Sequence, residues 1–300
     1  MNSASKNVWL LSWNVRGLGD PDKCTIVRDA LRQATPTIIC LQETKLTDCS
    51  IFKAATFLPP NMSSSFVLSS ASGARGGTLT AWDCNSLSLV TSSVSNNYCL
   101  STTFSSNLSE HSFSVTNVYA SSDHRESAAF LSQLAELAPT FTGPWLPGDF
   151  NLIRSSADKN TPVSNASLIT AFNDTINDMS LLELPLAGCR LTWSNKRDTP
   201  TLDRLDGIFH NIPFGQLFPS SSLQGLTRPT SDHVPILATL STDIPKSNHF
   251  RFENAWLLHP DFLQSVLPAW HQGQTCTDAA GKTRASAKVS LSCGKGMVQA

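Results

Sequence analysis

The chain is short of charge, short of tyrosine and free of any apolar run long enough to cross a bilayer. Charged residues make up 15% of its 300 positions, and there are two tyrosines. No apolar run approaches the roughly 18 residues of a transmembrane helix. The start, Met1 to Lys6, is polar, and the apolar stretch Val8–Leu11 is too short for a signal-peptide core. A soluble chain of the nucleus or cytoplasm is expected, neither secreted nor bound to a membrane. The eight cysteines form no CxxC pair and stand beside no histidine cluster. That argues against a structural zinc site and for reduced, mostly buried thiols. A basic surplus is missing too, since the formal net charge is −1. Residues 1–245 hold 16 basic and 20 acidic side chains, and residues 246–300 hold 6 and 3. Tight, non-specific binding to a polyanion needs a basic face that this composition does not supply. A metal ion would bring positive charge of its own.

What is present is enough apolar residue, 40%, for a sizeable core in one large domain or two modest ones. Up to about residue 240 the chain reads as short strands broken by turns. Strands are expected at Val8–Val15, Thr37–Gln42, Thr78–Trp82, Ser86–Thr91, Leu100–Phe104, Phe113–Tyr119, Trp145–Leu146, Arg190–Ser194, Leu205–His210 and Val234–Leu240. Asp20-Pro21 offers a helix N-cap with proline in the first turn, followed by an apolar face of Ile26, Val27, Ala30 and Leu31. Glu126–Leu137 and Ser164–Asn177 repeat the helical spacing. The Ser/Asn-rich segments Asn61–Ser72 and Ser92–Asn97 read as loops. Many strands and few helices predict two sheets packed face to face with helices outside, a mixed α/β (α+β) fold. Past Ile244-Pro245 the character changes. Phe250–Leu258 is amphipathic, and Thr275–Ala300 is small, polar and expected to be poorly ordered. Residues 1–245 are therefore read as the main domain and 246–300 as a linker-like extension.

Several polar residues close apolar runs. Asp149 and Asn151, in Gly148-Asp149-Phe150-Asn151, lie two apart, so at a strand end both point to one face. Asp232-His233 supplies a carboxylate and an imidazole. Asn14 and Glu43 each follow a short apolar run. Cleaving a phosphodiester needs a nucleophilic water, neutralised phosphoryl oxygens and help for the leaving oxygen. Glu43 is the natural ligand for magnesium, with Asp232 and the Asn14 oxygen as companions. Asp149 is placed to orient or deprotonate water, and Asn151 to hold the phosphate. His233 needs a carboxylate to fix its tautomer. Asp206 is favoured, because an apolar run follows it, and Asp203 is the rival. Tyr119 could donate to a phosphate oxygen. Arg190, Lys196, Arg197 and Arg204 form the densest basic stretch, expected on a hairpin loop that could track a nucleic-acid backbone or enter the minor groove.

Taken in order, these segments resemble the endonuclease/exonuclease/phosphatase superfamily, and within it the apurinic-endonuclease-like domain of plant non-LTR (LINE-type) retrotransposons. The resemblance covers about residues 7–242. It rests on Ser12–Leu18, Leu41–Lys45, Gly76-Gly77, Asn117–Ala120, Gly148–Asn151, Leu191–Asn195, Arg204–Asp206 and Ser231–His233. It implies a four-layered sandwich with two mixed sheets inside and a magnesium-dependent phosphoesterase, manganese being an alternative ion. It implies metal ligation by Glu43 with Asn14 and Asp232, and water activation by Asp149. It implies phosphate contacts from Asn151 and Tyr119 and an orienting pair of Asp206 with His233. Asn14, Thr192 and Arg197 fall on the substrate side, Thr192 as a residue that shapes the site. The expected partner is nucleic acid, DNA first, and the expected state a monomer. Phe250–Phe262 is similar to the stretch that leads toward reverse transcriptase in plant elements, but no polymerase signature follows. A truncated element, or a gene derived from one, is the expectation.

Three positions depart from the pattern: Pro147, Ser121 and Gly207. Pro147 lacks an N–H and stands just before Asp149, where it could disturb strand pairing. Two further readings stay open at this level. One is a phosphatase for a small phosphorylated substrate or lipid headgroup. The other is a non-catalytic relic or binding module that keeps the fold.

Overall fold

The apolar runs pair into two mixed sheets. The computed structural model describes residues 8–72, 75–94, 98–107, 112–137, 144–163 and 165–241. The expectations for residues 246–300 lie outside them. The strands in chain order are β1 (Val8–Asn14), β2 (Ile38–Gln42), β3 (Phe66–Ser72), β4 (Arg75–Trp82), β5 (Leu87–Val94), β6 (Cys99–Ser106), β7 (Ser112–Tyr119), β8 (Pro144–Asp149), β9 (Leu181–Glu183), β10 (Leu186–Ala187), β11 (Trp193–Ser194), β12 (Leu202–Asp203), β13 (Asp206–Asn211), β14 (Ser222–Gly225) and β15 (Ile236–Leu240). The helices are α1 (Pro21–Ala34), α2 (Ile51–Phe57), α3 (Ser127–Glu136), α4 (Ala166–Asp178) and α5 (Ile212–Leu217).

One sheet has seven strands in the order β10-β14-β15-β1-β2-β4-β3, and the other six in the order β5-β6-β7-β8-β13-β9. Both are mixed: β1 runs parallel to β2, β7 runs parallel to β8, and most other pairs are antiparallel. Strands β11 and β12 form a separate hairpin. The buried side chains fall into three clusters. Leu10, Ile38, Trp82, Phe104, Val115, Trp145, Ile208 and Ile236 come from both sheets and fill the space between them. Val27, Leu31, Ala54 and Phe57 of α1 and α2 pack on the outer face of the first sheet. Phe130, Leu134, Phe172 and Ile176 of α3 and α4 cover the outer face of the second. The layers are thus helix, sheet, sheet, helix, which is the expected four-layered sandwich.

Local chemistry explains the central pieces. Strand β2 is buried at every position, as a strand covered on both faces should be. A parallel β1–β2 pair needs a crossover, and α1 supplies it. Asp20 caps α1 by accepting from the Asp22 amide at 2.8 Å, with Pro21 in the first turn. The buried face of α1 is Cys24, Val27 and Leu31, so Ile26 is turned outward, against expectation. Two expected loops also prove to be strand: β3 occupies the end of Asn61–Ser72, and β5 continues to Val94. Their Ser-rich sequences hide a pairing carried by the backbone, with β3 an edge strand on β4. Among the described cysteines none is bonded, and Cys24, Cys40 and Cys99 are buried. No helix of the described residues is long and apolar enough to cross a membrane.

Two buried amides tie the sheets together below the rim. Gln42 Nε2 donates to Asn117 Oδ1 at 2.8 Å, and Asn117 Nδ2 donates to the carbonyls of Leu41 and Leu79 at 3.2 and 3.1 Å. Pro147 sits in β8, a central strand, and does not break it. The β7–β8 pairing has no partner pair at Pro147, then resumes in the same register at Val118↔Gly148 and Tyr119↔Asp149. Gly148 is needed there, because a Cβ at that position would lie 2.1 Å from the Val118 carbonyl oxygen. Gly148→Ala is therefore expected to destabilise the protein by about 1–3 kcal/mol or more through forced separation of β7 and β8. Gly19, where an added Cβ would meet nothing within 4 Å, is the control. Gly19→Ala should stay within about 0.5 kcal/mol of wild type in urea unfolding.

Candidate active site

Strand ends deliver the polar side chains. Tyr119 pairs with Asp149 across β7–β8, and Asp149 with Asp206 across β8–β13, so three polar residues stand in one row. Asn14 ends β1 opposite Gln42, which puts Glu43 one step beyond β2. The ladder continues past the strands: Gly17 N donates to the Glu43 carbonyl at 2.6 Å, and Thr44 N to the Gly77 carbonyl at 2.9 Å. Arg16, Glu43, Lys45 and Asn151 all have positive φ. Such backbone is costly for residues other than glycine and gathers at functional sites. Gly77 permits the packing, since a Cβ there would come within 2.5 Å of Thr44 Oγ1.

The centre of the site is Asp149, fully buried. Asn14 Nδ2 donates to Asp149 Oδ2 at 2.9 Å and to Glu43 Oε2 at 3.3 Å. Two carboxylates from two sheets thus face one another across one amide nitrogen. The orientation of that amide is set by Arg16 N, which donates to Asn14 Oδ1 at 3.0 Å. The oxygen expected to ligate a metal is therefore engaged with backbone. Asn151 donates to Asp149 through its own amide N at 3.0 Å and Nδ2 at 3.2 Å, and to the Ala120 carbonyl at 2.8 Å. His233 Nδ1 lies 2.9 Å from Asp206 Oδ2, and Nε2 lies 3.7 Å from Asp149 Oδ2. Asp203, the rival orienter, is instead bound by Lys159 at 2.7 Å.

Electrostatics follow from that packing. Burial raises the Asp149 carboxyl to about 7, with the Asp206 carboxylate adding to the rise and His233 and the Asn14 amide opposing it. Burial works against a charged His233, but the Asp206 and Asp149 carboxylates outweigh it and lift the imidazole to about 9. Burial, then the Glu43 and Asp149 carboxylates, push the Tyr119 phenol above its ordinary value. Burial disfavours an ionised Asp232, yet His233, the Trp193 indole and Arg16 together hold it below the usual carboxylate range.

Thr192 is fully buried. Its hydroxyl accepts from the amides of Leu205 and Asp206, both at 3.1 Å, which fixes the start of β13. Arg197 is exposed on the turn between β11 and β12, whose Trp193 bridges to His233. Arg204 is not on that turn tip but pairs inward with Glu183. Sequence reasoning passed over three neighbours of the centre. Arg16 forms an ion pair with Asp232, Trp193 Nε1 donates to Asp232 Oδ2 at 3.0 Å, and Ser231 Oγ donates to the Asn14 carbonyl at 2.7 Å. The serine before Asp-His was a legible turn signal, because its hydroxyl also accepts from the His233 amide at 3.2 Å. The other two had no local signal.

The donor chemistry suits a hard cation. Glu43 and Asp149 face one another across the Asn14 amide nitrogen, and carboxylate oxygens are what a hard divalent cation takes. The donor atoms of Asp149, Asp206 and His233 also lie within 4.8 Å of one another. His233 Nδ1 is already held by Asp206, which makes that trio better suited to moving protons than to ligation.

Two mixed sheets packed face to face between helices, with a carboxylate–imidazole site at their rim, define a four-layered α/β sandwich. The chain belongs to the endonuclease/exonuclease/phosphatase family, whose profile matches residues 11–233. Among solved structures it is similar to an AP endonuclease from Leishmania major, with a TM-score of 0.62 at 17% identity over 78% of this chain and 88% of that one. It is similar to the endonuclease domain of TRAS1, a telomere-specific non-LTR retrotransposon, with a TM-score of 0.57 at 13% identity over 78% and 98%. It is also similar to the 3′ phosphatase NExo from Neisseria, solved with a product DNA hairpin, with a TM-score of 0.60 at 18% identity over 78% and 99%. No curated protein sequence matches the chain significantly.

The buried dyad makes a pH prediction. His233 has a folded pKa of about 9 against an ordinary 6.5. Its stabilisation is thus fully present below 6.5 and lost as pH rises through about 9. In metal-free protein, NMR of the imidazole should show a midpoint well above 6.5 that falls on Asp206→Asn. An unchanged midpoint in that variant would remove Asp206 as the cause.

Proposed function

We propose that the chain is a metal-dependent phosphodiesterase that nicks DNA, an endonuclease of retrotransposon type that works as a monomer. The observation that carries this reading is Asp149, buried between the His233–Asp206 pair and the amides of Asn14 and Asn151, with Glu43 facing it. The likeness to AP endonucleases, to the TRAS1 endonuclease domain and to a phosphatase solved with DNA supports nucleic acid as the substrate class.

Each residue has a task in that reading. Asp149, anionic once the pH passes about 7, orients a water and takes its proton. The Tyr119 phenol donates to a phosphoryl oxygen, and Asn151, expected there too, reaches a phosphate only by releasing one of the amide hydrogens it gives to Asp149 and the Ala120 carbonyl. His233, kept positive by Asp206, stabilises the charge that builds on phosphorus oxygens during attack. Asn14 holds Asp149 and Glu43 in register. Thr192 fixes the backbone that carries Asp206. Glu43 is placed to hold a divalent ion, which when bound neutralises phosphoryl charge and assists the leaving oxygen. The exposed turn with Lys196 and Arg197 lies beside His233 and is placed to meet the nucleic-acid backbone.

A phosphatase for small substrates is the second reading, favoured by the acidic balance of residues 1–245, 16 basic against 20 acidic. One assay separates the two. The full chain with magnesium should nick supercoiled plasmid, and Asp149→Ala should slow nicking by about 10²–10⁴-fold. Equal rates in wild type and variant would sink the assignment. Release of phosphate from inositol phosphates without nicking would favour the phosphatase.

A further inference from the structure

The β11–β12 hairpin is held from both sides. Its inner arm meets the segment that carries Asp232 and His233. Ser194 N donates to the Asp232 carbonyl at 3.1 Å, and Val234 N to the Thr192 carbonyl at 2.7 Å. Its outer arm meets Asp158–Asn160, on the chain that runs on from Asn151. Arg204 N donates to the Asp158 carbonyl at 2.8 Å, Asn160 N donates to the Leu202 carbonyl at 3.1 Å, and Lys159 pairs with Asp203 between them. Lys159 Nζ also donates to both Asp203 oxygens, at 2.7 and 2.8 Å, with both side chains largely buried. Continued in that register, the ladder would offer the Pro200 carbonyl the N–H of residue 162, and Pro162 has none. The Asn160 side chain supplies the missing rung. Its Oδ1 accepts from Leu202 N at 2.8 Å and its Nδ2 donates to the Pro200 carbonyl at 2.9 Å, as a peptide unit would. Pro200 belongs to the turn, so the brace reaches the tip. From within, Asn195 Oδ1 accepts from the amides of Arg197 and Thr201 at 3.2 and 3.0 Å. Lys196 Nζ is tied to the Thr230 carbonyl at 3.0 Å, while Arg197 stands exposed at the tip.

We propose that Asn160 is a positioning residue for nucleic acid, which fixes the hairpin tip so that Arg197 is presented preformed to a backbone phosphate. The inference rests on the reading above in which this turn meets the nucleic-acid backbone. Asn160 is itself exposed, so its amide orders a surface turn rather than the core. A loose turn would have to be ordered at every encounter, which lowers affinity. A guanidinium meets a phosphate in a fixed fork geometry, so it gains most from a backbone that is already held. The chain that leaves Asp149 and Asn151 thus braces one side of the hairpin and the chain that carries His233 braces the other, which gives the site and its grip one frame.

The test is binding of a fluorescein-labelled DNA duplex by the full chain at low salt in EDTA, read by anisotropy, with amide hydrogen exchange alongside. Asn160→Ala should weaken binding by about 2–10-fold. Arg197→Ala should weaken it too. In that background Asn160→Ala should cost less than about twofold, because its effect passes through Arg197. Exchange at the Leu202 amide should speed up in Asn160→Ala while the Leu41 amide, in β2, stays protected. In plasmid nicking Asn160→Ala should raise KM and keep kcat within about twofold. If Leu41 is loosened as well, the milder truncation Asn160→Ser is read by the same criteria. Equal losses of affinity from Asn160→Ala with and without Arg197 would overturn the proposal. Unchanged affinity despite faster Leu202 exchange would overturn it too, as would a lower kcat at unchanged KM. No duplex binding by wild type, in EDTA or with magnesium, would sink both this proposal and the DNA reading. The expected affinities without plasmid nicking would sink only the proposed function.

Discussion

Everything at the rim depends on one nitrogen. Asn14 Nδ2 donates to Glu43 from the β2 side and to Asp149 from β8, and so joins two sheets at the point where their charges would repel. A buried carboxylate without donors is costly, and here each donor comes from a different strand end. The amide can do this because its oxygen accepts from Arg16 N, while the main-chain carbonyl of Asn14 accepts from Ser231 Oγ. One layer down, Gln42 and Asn117 hold the sheets at the spacing this contact needs. Gln42 directly precedes Glu43, and Asn117 stands two residues before Tyr119, so structural and chemical positions lie close together on the same strands.

The second consequence is a proton balance inside a closed space. Asp149 and Asp206 both face His233, and Asp149 and His233 are both shifted upward. Burial favours a neutral acid and a neutral imidazole, while the mutual attraction of carboxylate and imidazolium favours charge. The outcome near neutral pH is a positive His233 beside an Asp149 that is close to its own titration point. A base poised near the working pH and a nearby cation are what hydrolysis of an anionic ester requires.

Much of this was legible in the amino-acid order. Asp149 and Asn151 stand at the end of an apolar run and Asp232-His233 just before one, and a polar residue at a strand end is a local signal. The four layers could be inferred from strands outnumbering helices. What resisted reading was non-local or carried by backbone. Asp203 is claimed by Lys159, 44 residues away in sequence, while Asp206 meets His233, 27 residues away. Arg16 and Asp232 are separated by 216 positions. Strand β3 looked like a loop because serine is common in turns, yet its pairing to β4 uses main-chain groups that any residue has. The Asn14 side chain was expected to offer its oxygen to a metal, and only the Arg16 backbone shows that its nitrogen faces the carboxylates. Pro147 looked disruptive, but the ladder steps over it in register.

The central claim is that carboxylates from two sheets meet to form one cation-binding, ester-cleaving site. Anomalous diffraction from crystals of the full chain grown with Mn²⁺ addresses it most directly. The account predicts one peak bonded to Glu43 on the side facing Asp149. A peak bonded to Asp232 and remote from Glu43, or none at saturating Mn²⁺, would contradict it.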